Sequence, residues 1–510
     1  MENKPNSILK LPRLWYSEAN VYQSKRCECD CACPNPVLVE VQQRIRDSIS
    51  VVRNSRHVRN IQLSPDLYTR CLPEIGAFSL LGIQGSGILV IDSFWRDLFP
   101  FFQRSISMTE LKQGFRQWPI DILENILGIL LTYDVLRSPD INIYQTSETE
   151  KVLSAWLSLT HRCNSSCSYC FITKGQEKMD EAMAAKSVDA VFRSALSYGY
   201  SRVKLKYAGG EPTLNFAALK VAQEHAEAWM QDSSINLETV LLTNGLYLPD
   251  DFIDYLINHD IGVLVSLDGL GSYHDNQRRA KNRNLSANAV LETIERLTQR
   301  GISSFISVTI TPQNIDGLPQ LVEYLLEKEL YFGFNFYRDP GLGNSSVQQV
   351  DHNLLIDGLL KTFEVIKQQT PRFSLLSSLA DRADLRFSHQ RACGAGENYI
   401  VVSPDGKICN CQMEMQFPIT TFDHENPLAV LRSDESRLKN LHVDQKDGCR
   451  ECVWRYRCGG GCPREAYHAY GSFDSKSPLC DVYQAIFPEI IELEALRLLK
   501  YEKPWEYRIQ

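Results

Sequence analysis

Thr160-His161-Arg162-Cys163-Asn164-Ser165-Ser166-Cys167-Ser168-Tyr169-Cys170-Phe171 sets three cysteines at a C-x3-C-x2-C spacing. Zinc is usually closed by four ligands, often from two paired motifs. Ordinary four-iron clusters are closed by four cysteines. Three thiolates on one loop, followed by an aromatic residue, suit three corners of a cubane iron–sulfur cluster instead. The fourth iron then has no thiolate and is open to a bound molecule.

Outward from this run, short apolar stretches alternate with amphipathic ones. Strands are expected at 155–160, 202–207, 237–243, 262–267, 304–310 and 331–337, with helices including 180–197, 216–231 and 287–300. Such alternation implies an α/β fold with a parallel sheet and right-handed crossovers. In a barrel of this kind, the loops after the strands carry the site. The cysteine run follows the first strand and Ala208-Gly209-Gly210-Glu211-Pro212 the second. Glycines there allow close backbone approach to a ligand. Thr243-Asn244-Gly245 ends the third strand, and Ser266-Leu267-Asp268-Gly269, then His274-Asp275 and Arg278, follow the fourth.

A second cysteine array lies downstream. Cys393 is followed by twelve residues, Gly406, four residues and Cys411; then come Cys449-x2-Cys452-x5-Cys458-x3-Cys462 and Cys480. A zinc ribbon on Cys449, Cys452, Cys458 and Cys462 is the plain alternative, but it leaves three cysteines without a role.

On these motifs the chain resembles the radical S-adenosylmethionine (SAM) enzymes, and its C-terminal third resembles the SPASM extension that carries auxiliary iron–sulfur clusters. The resemblance covers roughly residues 150–485. It implies a partial (β/α)6 TIM-like barrel over 150–345, a bridging segment over 346–390 and a SPASM domain over 391–485. It implies SAM on the open iron of a 4Fe-4S cluster held by Cys163, Cys167 and Cys170, with cleavage to a 5′-deoxyadenosyl radical. Gly209, Gly210 and Glu211 would receive the SAM amino group. Thr243 and Asn244 would border the nucleoside, Tyr169 would shape the adenine pocket, and Ser266 and Asp268 would contact ribose or substrate. Arg278 would neutralise the SAM carboxylate as a charge-assisted fork, or form a solvated basic pair with Arg279. Ile310 would pack on adenine or belong to the core.

The same resemblance assigns Cys449, Cys452, Cys458 and Cys480 to a distal auxiliary cluster, and Cys393, Cys411 and Cys462 to a proximal one. Where fully ligated relatives have a further cysteine, this chain has Tyr399. Either Cys409 supplies that thiolate or the iron stays open; Cys409 is otherwise a buried structural cysteine or a hydrogen-atom donor. Sulfatase-maturing relatives place an aspartate base after the cysteine at the Cys411 position. Here Gln412 follows, which disfavours formylglycine formation and leaves Glu414 as the nearest candidate base.

The N-terminal third has another texture. Residues 78–81 and 87–91 read as a hairpin, 94–99 as a short helix stopped by Pro100, and helices should open near Thr109 and span 120–131. Hairpin plus three helices over 77–146 resembles the winged-helix element that binds leader peptides in ribosomal-peptide maturation, which captures a peptide as an added strand; a helical cap on the barrel is the alternative. Residues 1–76 form an extension in which Cys27, Cys29, Cys31 and Cys33 alternate along one face of an extended strand, as metal ligands or as thiols on a tail. Cys71 is expected in a packed core, and the tail over 486–510 as a helix at 487–500.

Composition sets the outer limits. A net charge of −8 argues against a nucleic-acid partner. No 18-residue apolar run or hydrophobic leader stands out, so a cytoplasmic protein without a membrane span is expected. Sixteen cysteines then read as metal ligands rather than disulfides. The expected function is a RiPP maturase: hydrogen abstraction from a precursor peptide held by its leader, then an intrapeptide cross-link. Peptide epimerisation, backbone excision, or protein or small-molecule maturation are the alternatives. The expected electron donor is a flavodoxin or ferredoxin.

Overall fold

The computed structural model describes residues 13–17, 41–54, 60–73, 76–82, 84–93, 99–140, 151–281, 285–339, 351–436 and 438–505. The CxCxCxC run and residues 94–98 of the helix expected over 94–99 lie outside them. Six parallel strands, β1 (Val152–Thr160), β2 (Arg202–Gly209), β3 (Asn236–Thr243), β4 (Gly262–Ser266), β5 (Phe305–Ile310) and β6 (Tyr331–Phe336), neighbour one another in chain order. Helices α1 (Glu181–Ser197), α2 (Phe216–Asp232), α3 (Asp250–Asn258), α4 (Ala287–Gln299) and α5 (Leu318–Glu327) connect them. The Asp180 side chain caps α1 by accepting from the Met183 amide at 2.7 Å. Successive strand residues face opposite sides. Leu153, Ala155, Leu157 and Leu159 join the main core with Ala184, Val188 and Phe192 of α1, while Trp156 joins a separate cluster with Ala208, Tyr399 and Cys409.

The sheet does not stop at β1. β7 (Tyr399–Val402) pairs parallel to it, β8 (Lys407–Cys409) antiparallel to β7, and β9 (Thr420–Thr421) antiparallel to β8. The C-terminal segment thereby satisfies the ladder groups that an open β1 edge would expose. A helix of 22 residues, Cys480–Tyr501, begins at the last cysteine of the array, seven residues before the helix read from the sequence. Pro488 lies inside it.

The N-terminal unit is a four-stranded antiparallel sheet in the order Leu14–Tyr16, Leu89–Asp92, Ala77–Leu81, Tyr68–Leu72. Helices Val41–Asn54, Met108–Gly114 and Ile120–Thr132 share one core with it. Gly128 is required where two of them cross: a Cβ there would lie 2.5 Å from the Ile49 side chain. Ser107 and Glu110 form a reciprocal capping box on the Met108 helix. Pro100 lies inside a 3-10 turn, Phe99–Phe102, where its fixed φ suits a helical first turn. One expectation fails. Cys71 is exposed, since it falls on the outward face of an edge strand.

Arg457 ties the units together. It is fully buried and donates to the carbonyls of Leu385, Gly82 and Gly85 at 3.1, 2.6 and 2.9 Å. Among the described residues no helix is long and apolar enough to cross a membrane.

Candidate functional site

The cysteine loop is held from three sides. Its Ser165–Cys167 segment forms a short antiparallel ladder with Arg278–Ala280. The Ser168 amide donates to Gln277 O at 2.9 Å, and the Lys281 amide to Asn164 O at 2.9 Å. From β2, the Gly210 amide donates to Thr160 O at 2.6 Å and the Glu211 amide to Arg162 O at 2.8 Å. That approach needs two glycines. A Cβ on Gly209 (φ +134°) would lie 2.4 Å from Thr160 O, and one on Gly210 would lie 2.2 Å from Arg162 O.

Glu211 is 1% exposed. Its carboxylate accepts from the Thr243 hydroxyl, the Thr213 hydroxyl and the Asn244 amide, each at 2.8 Å. Burial raises its pKa, against the lowering effect of those donors. Asn244 in turn donates to the Asn164 side chain at 2.7 Å and lies 3.8 Å from the Cys163 sulfur. The ends of β2 and β3 and the cysteine loop are therefore one hydrogen-bonded unit.

Asp268, after β4, is fully buried. It accepts from the Tyr169 hydroxyl at 2.5 Å, Arg278 Nε at 2.6 Å and the Thr309 amide at 2.9 Å. The guanidinium stacks 5.2 Å from the Tyr169 ring centre and lies 4.0 Å from the Cys167 sulfur. Burial pulls the Arg278 pKa down, but Asp268, Tyr169 and Cys167 outweigh it and hold the side chain charged. Arg278 is thus paired with Asp268 rather than solvated beside Arg279. Ile310 is fully buried in the main core with Ile306 and Val308, on the helix-facing side of β5.

Burial pushes the Cys163 thiol up to about 11 and raises Cys170 as well. A metal group bound there would displace those protons, since it takes the thiols as thiolates. Among the described residues, no three of His, Cys, Asp and Glu converge tightly enough to hold one metal ion.

Residues 157–325 match the description of the radical SAM superfamily. The chain carries a radical SAM domain. Fe-coproporphyrin III synthase of Methanosarcina barkeri is 24% identical over 374 residues, spanning 66% of this chain and 90% of that protein. The radical SAM cyclopropyl synthase TigE of Paramaledivibacter caminithermalis is 20% identical over 383 residues, spanning 69% and 76%. The structure of native anSMEcpe with bound AdoMet superposes with a TM-score of 0.56 at 19% identity, over 67% of this chain and 98% of that one. At that identity the likeness establishes the radical SAM fold. The family match supplies SAM and a 4Fe-4S cluster as its cofactors.

Beyond the radical SAM domain, seven further thiols line two cavities. Cys449, Cys452, Cys458 and Cys480 border one, beside Trp454 and Phe487. Cys480 is the first residue of its helix, and burial raises its thiol pKa. Cys393, Cys411 and Cys462 border the other. Burial pushes Cys411 and Cys458 up to about 12 and Cys449 up to about 11. A zinc ribbon on Cys449, Cys452, Cys458 and Cys462 is not formed, because Cys462 belongs to the second cavity.

Cys409 borders neither cavity. It is 2% exposed, its thiol directed to Cys411 O at 3.3 Å, in the cluster with Trp156, Ala208, Tyr399 and Val401. Glu414 is engaged by Arg464 Nε at 2.8 Å. Sequence reading missed Asn164, Gln277, Trp156 and Asn410. Only Asn164 carried a signal, as the polar residue inside the cysteine run.

Proposed function

We propose that the chain is a radical SAM peptide maturase with a SPASM-type auxiliary-cluster unit, acting on a ribosomally made precursor peptide. The observation that carries this reading is the continuity of one sheet. β1 delivers the cysteine loop, and β7 and β8 on its flank lead into the cavity of Cys393, Cys411 and Cys462. TigE, among the relatives, supports modification chemistry of this kind. The N-terminal sheet, with helices on one core, supports capture of a leader peptide by strand addition.

In this reading Cys163, Cys167 and Cys170 hold three corners of the SAM-binding cluster. Gly209, Gly210 and Glu211 receive the SAM amino group. Thr243 and Asn244, fixed by Glu211, border the nucleoside, and Ser266 contacts ribose or substrate. Asp268 orients Arg278 toward the SAM carboxylate and holds Tyr169 beside the cluster. Cys449, Cys452, Cys458 and Cys480 hold one auxiliary cluster, and Cys393, Cys411 and Cys462 the other. When bound, the loop cluster with SAM supplies a 5′-deoxyadenosyl radical for hydrogen abstraction, and the auxiliary clusters supply an electron acceptor for oxidative ring closure. A flavodoxin- or ferredoxin-type protein supplies the reducing electron in the cytoplasm.

The test is co-expression with a small open reading frame beside the gene, followed by mass spectrometry of the peptide. A cross-link appears as loss of one hydrogen pair; unchanged peptide mass from an enzyme that makes 5′-deoxyadenosine contradicts the cross-link, and unchanged mass with unchanged residue stereochemistry contradicts the peptide-maturase reading. A second reading, modification of a small tetrapyrrole-like molecule, is favoured by the Methanosarcina relative. Binding of a labelled leader peptide to the holoprotein separates the two.

A further inference from the structure

The cavity of Cys393, Cys411 and Cys462 contains a side chain with no partner. Asn410 borders it and is 2% exposed, yet neither its carboxamide oxygen nor its nitrogen makes a hydrogen bond. Buried polar atoms in folded proteins are nearly always paired. A primary amide holds both an acceptor and donors, so leaving both ends empty points to a missing occupant of that cavity.

The other polar side chains bordering the cavity are engaged elsewhere. Tyr399, in the place of the missing cysteine, is fully buried and its hydroxyl donates to Gln412 Oε1 at 3.2 Å. Cys409 is absent from the cavity lining and packs with Trp156 and Ala208. Arg338 is paired with Asp381 and Glu465, and Arg464 with Glu414. A cationic side chain would in any case repel iron.

We infer that Asn410, not Cys409, makes the chain's fourth contact to the group held by Cys393, Cys411 and Cys462, its carboxamide oxygen meeting the iron corner that has no thiolate. The inference rests on the auxiliary-cluster reading given above. An amide oxygen is a neutral donor, so this cluster carries one negative charge fewer than a four-thiolate cluster. Net charge is one of the determinants of cluster potential, so the assignment implies a higher potential than full thiolate ligation would give.

The experiment uses the full chain, reconstituted anaerobically with iron and sulfide, in a background with Cys163, Cys167 and Cys170 all replaced by alanine so that only auxiliary clusters contribute. Cys409→Ala should retain the iron content and the electron paramagnetic resonance spectrum of that background. Asn410→Leu, which keeps the volume but not the donor, should shift the spectrum of one auxiliary cluster or lose its iron. Asn410→Asp, which keeps an oxygen donor, should restore the iron. Asn410→Cys should lower the midpoint potential of that one cluster. Loss of a cluster's iron in Cys409→Ala, or unaltered spectra in Asn410→Leu, overturns the assignment. Cys411→Ala provides the separate control: if it changes neither iron nor spectra, the auxiliary-cluster reading itself fails.

Discussion

Gly210→Ala tests the coupling of the cysteine loop to the barrel directly. The added methyl would sit 2.2 Å from the Arg162 carbonyl oxygen, 2.7 Å from the Arg162 carbonyl carbon and 2.9 Å from the His161 carbonyl carbon. All three are backbone atoms of the loop that carries Cys163, so no side chain can turn aside. A carbon–oxygen contact relaxes at about 3.3 Å or beyond, so loop and motif must part by roughly 1 Å. The hydrogen bonds from the Gly210 and Glu211 amides to this loop oppose that opening. A displacement of this size between reacting groups costs on the order of 100-fold in rate, or about 2.7 kcal/mol of barrier. The assay is 5′-deoxyadenosine formation under anaerobic conditions with a chemical reductant at saturating SAM, at matched iron content. Gly199→Ala is the control: φ is +64° and nothing lies within 4 Å of its Cβ, so it strains a remote turn and leaves the rate near parent. A folded, iron-replete Gly210→Ala protein with parental turnover would refute the reasoning.

Asp268→Asn removes the counter-charge of buried Arg278 and should cost about 3–5 kcal/mol, read as a lower denaturant midpoint; an unchanged midpoint contradicts the pairing. Burial depresses the pKa of His274 to about 4 from an ordinary 6.5, so the unfolded chain binds the extra proton between those values. Its stabilising contribution is complete above pH 6.5 and is lost as pH falls toward 4; between pH 7 and 5 the loss is about 2 kcal/mol. His274→Gln lacks that slope, and parallel pH–stability curves for parent and variant would disprove it. Arg457→Met strips the donor from three carbonyls, at a cost of about 3 kcal/mol or more, measured by thermal unfolding; a melt unshifted from parent speaks against the tie between units. Cys411→Ala should lower the iron content while preserving the SAM-responsive signal of the loop cluster, and undiminished iron would show that its cavity holds no cluster.

The barrel was legible because its strands are short apolar runs separated by strongly amphipathic helices. Expected and observed strands agree within three residues at either end. The cysteine loop was legible because a C-x3-C-x2-C spacing needs no tertiary information. What spacing could not carry is which side chain faces which space. Cys409 and Cys411 stand two apart, yet a turn after β8 sends Cys411 into the thiol cavity and leaves Cys409 against Trp156. Ile310 reads equally as core or pocket until the face of β5 is known. Long-range pairing was equally hidden: the β1–β7 ladder joins residues about 245 positions apart, and no local pattern announces it. The Arg278–Asp268–Tyr169 group was named residue by residue, but its closure into a charge-assisted network depends on the Ser165–Cys167 ladder with Arg278–Ala280.

The central claim is that Cys163, Cys167 and Cys170 hold a cluster with one corner open to SAM. The most direct measurement is electron paramagnetic resonance of the anaerobically purified, reduced holoprotein with and without SAM. The account predicts a reduced-cluster signal that SAM displaces and that disappears when the three cysteines are replaced by alanine. Zinc on this loop, or a signal indifferent to both SAM and that replacement, would contradict it.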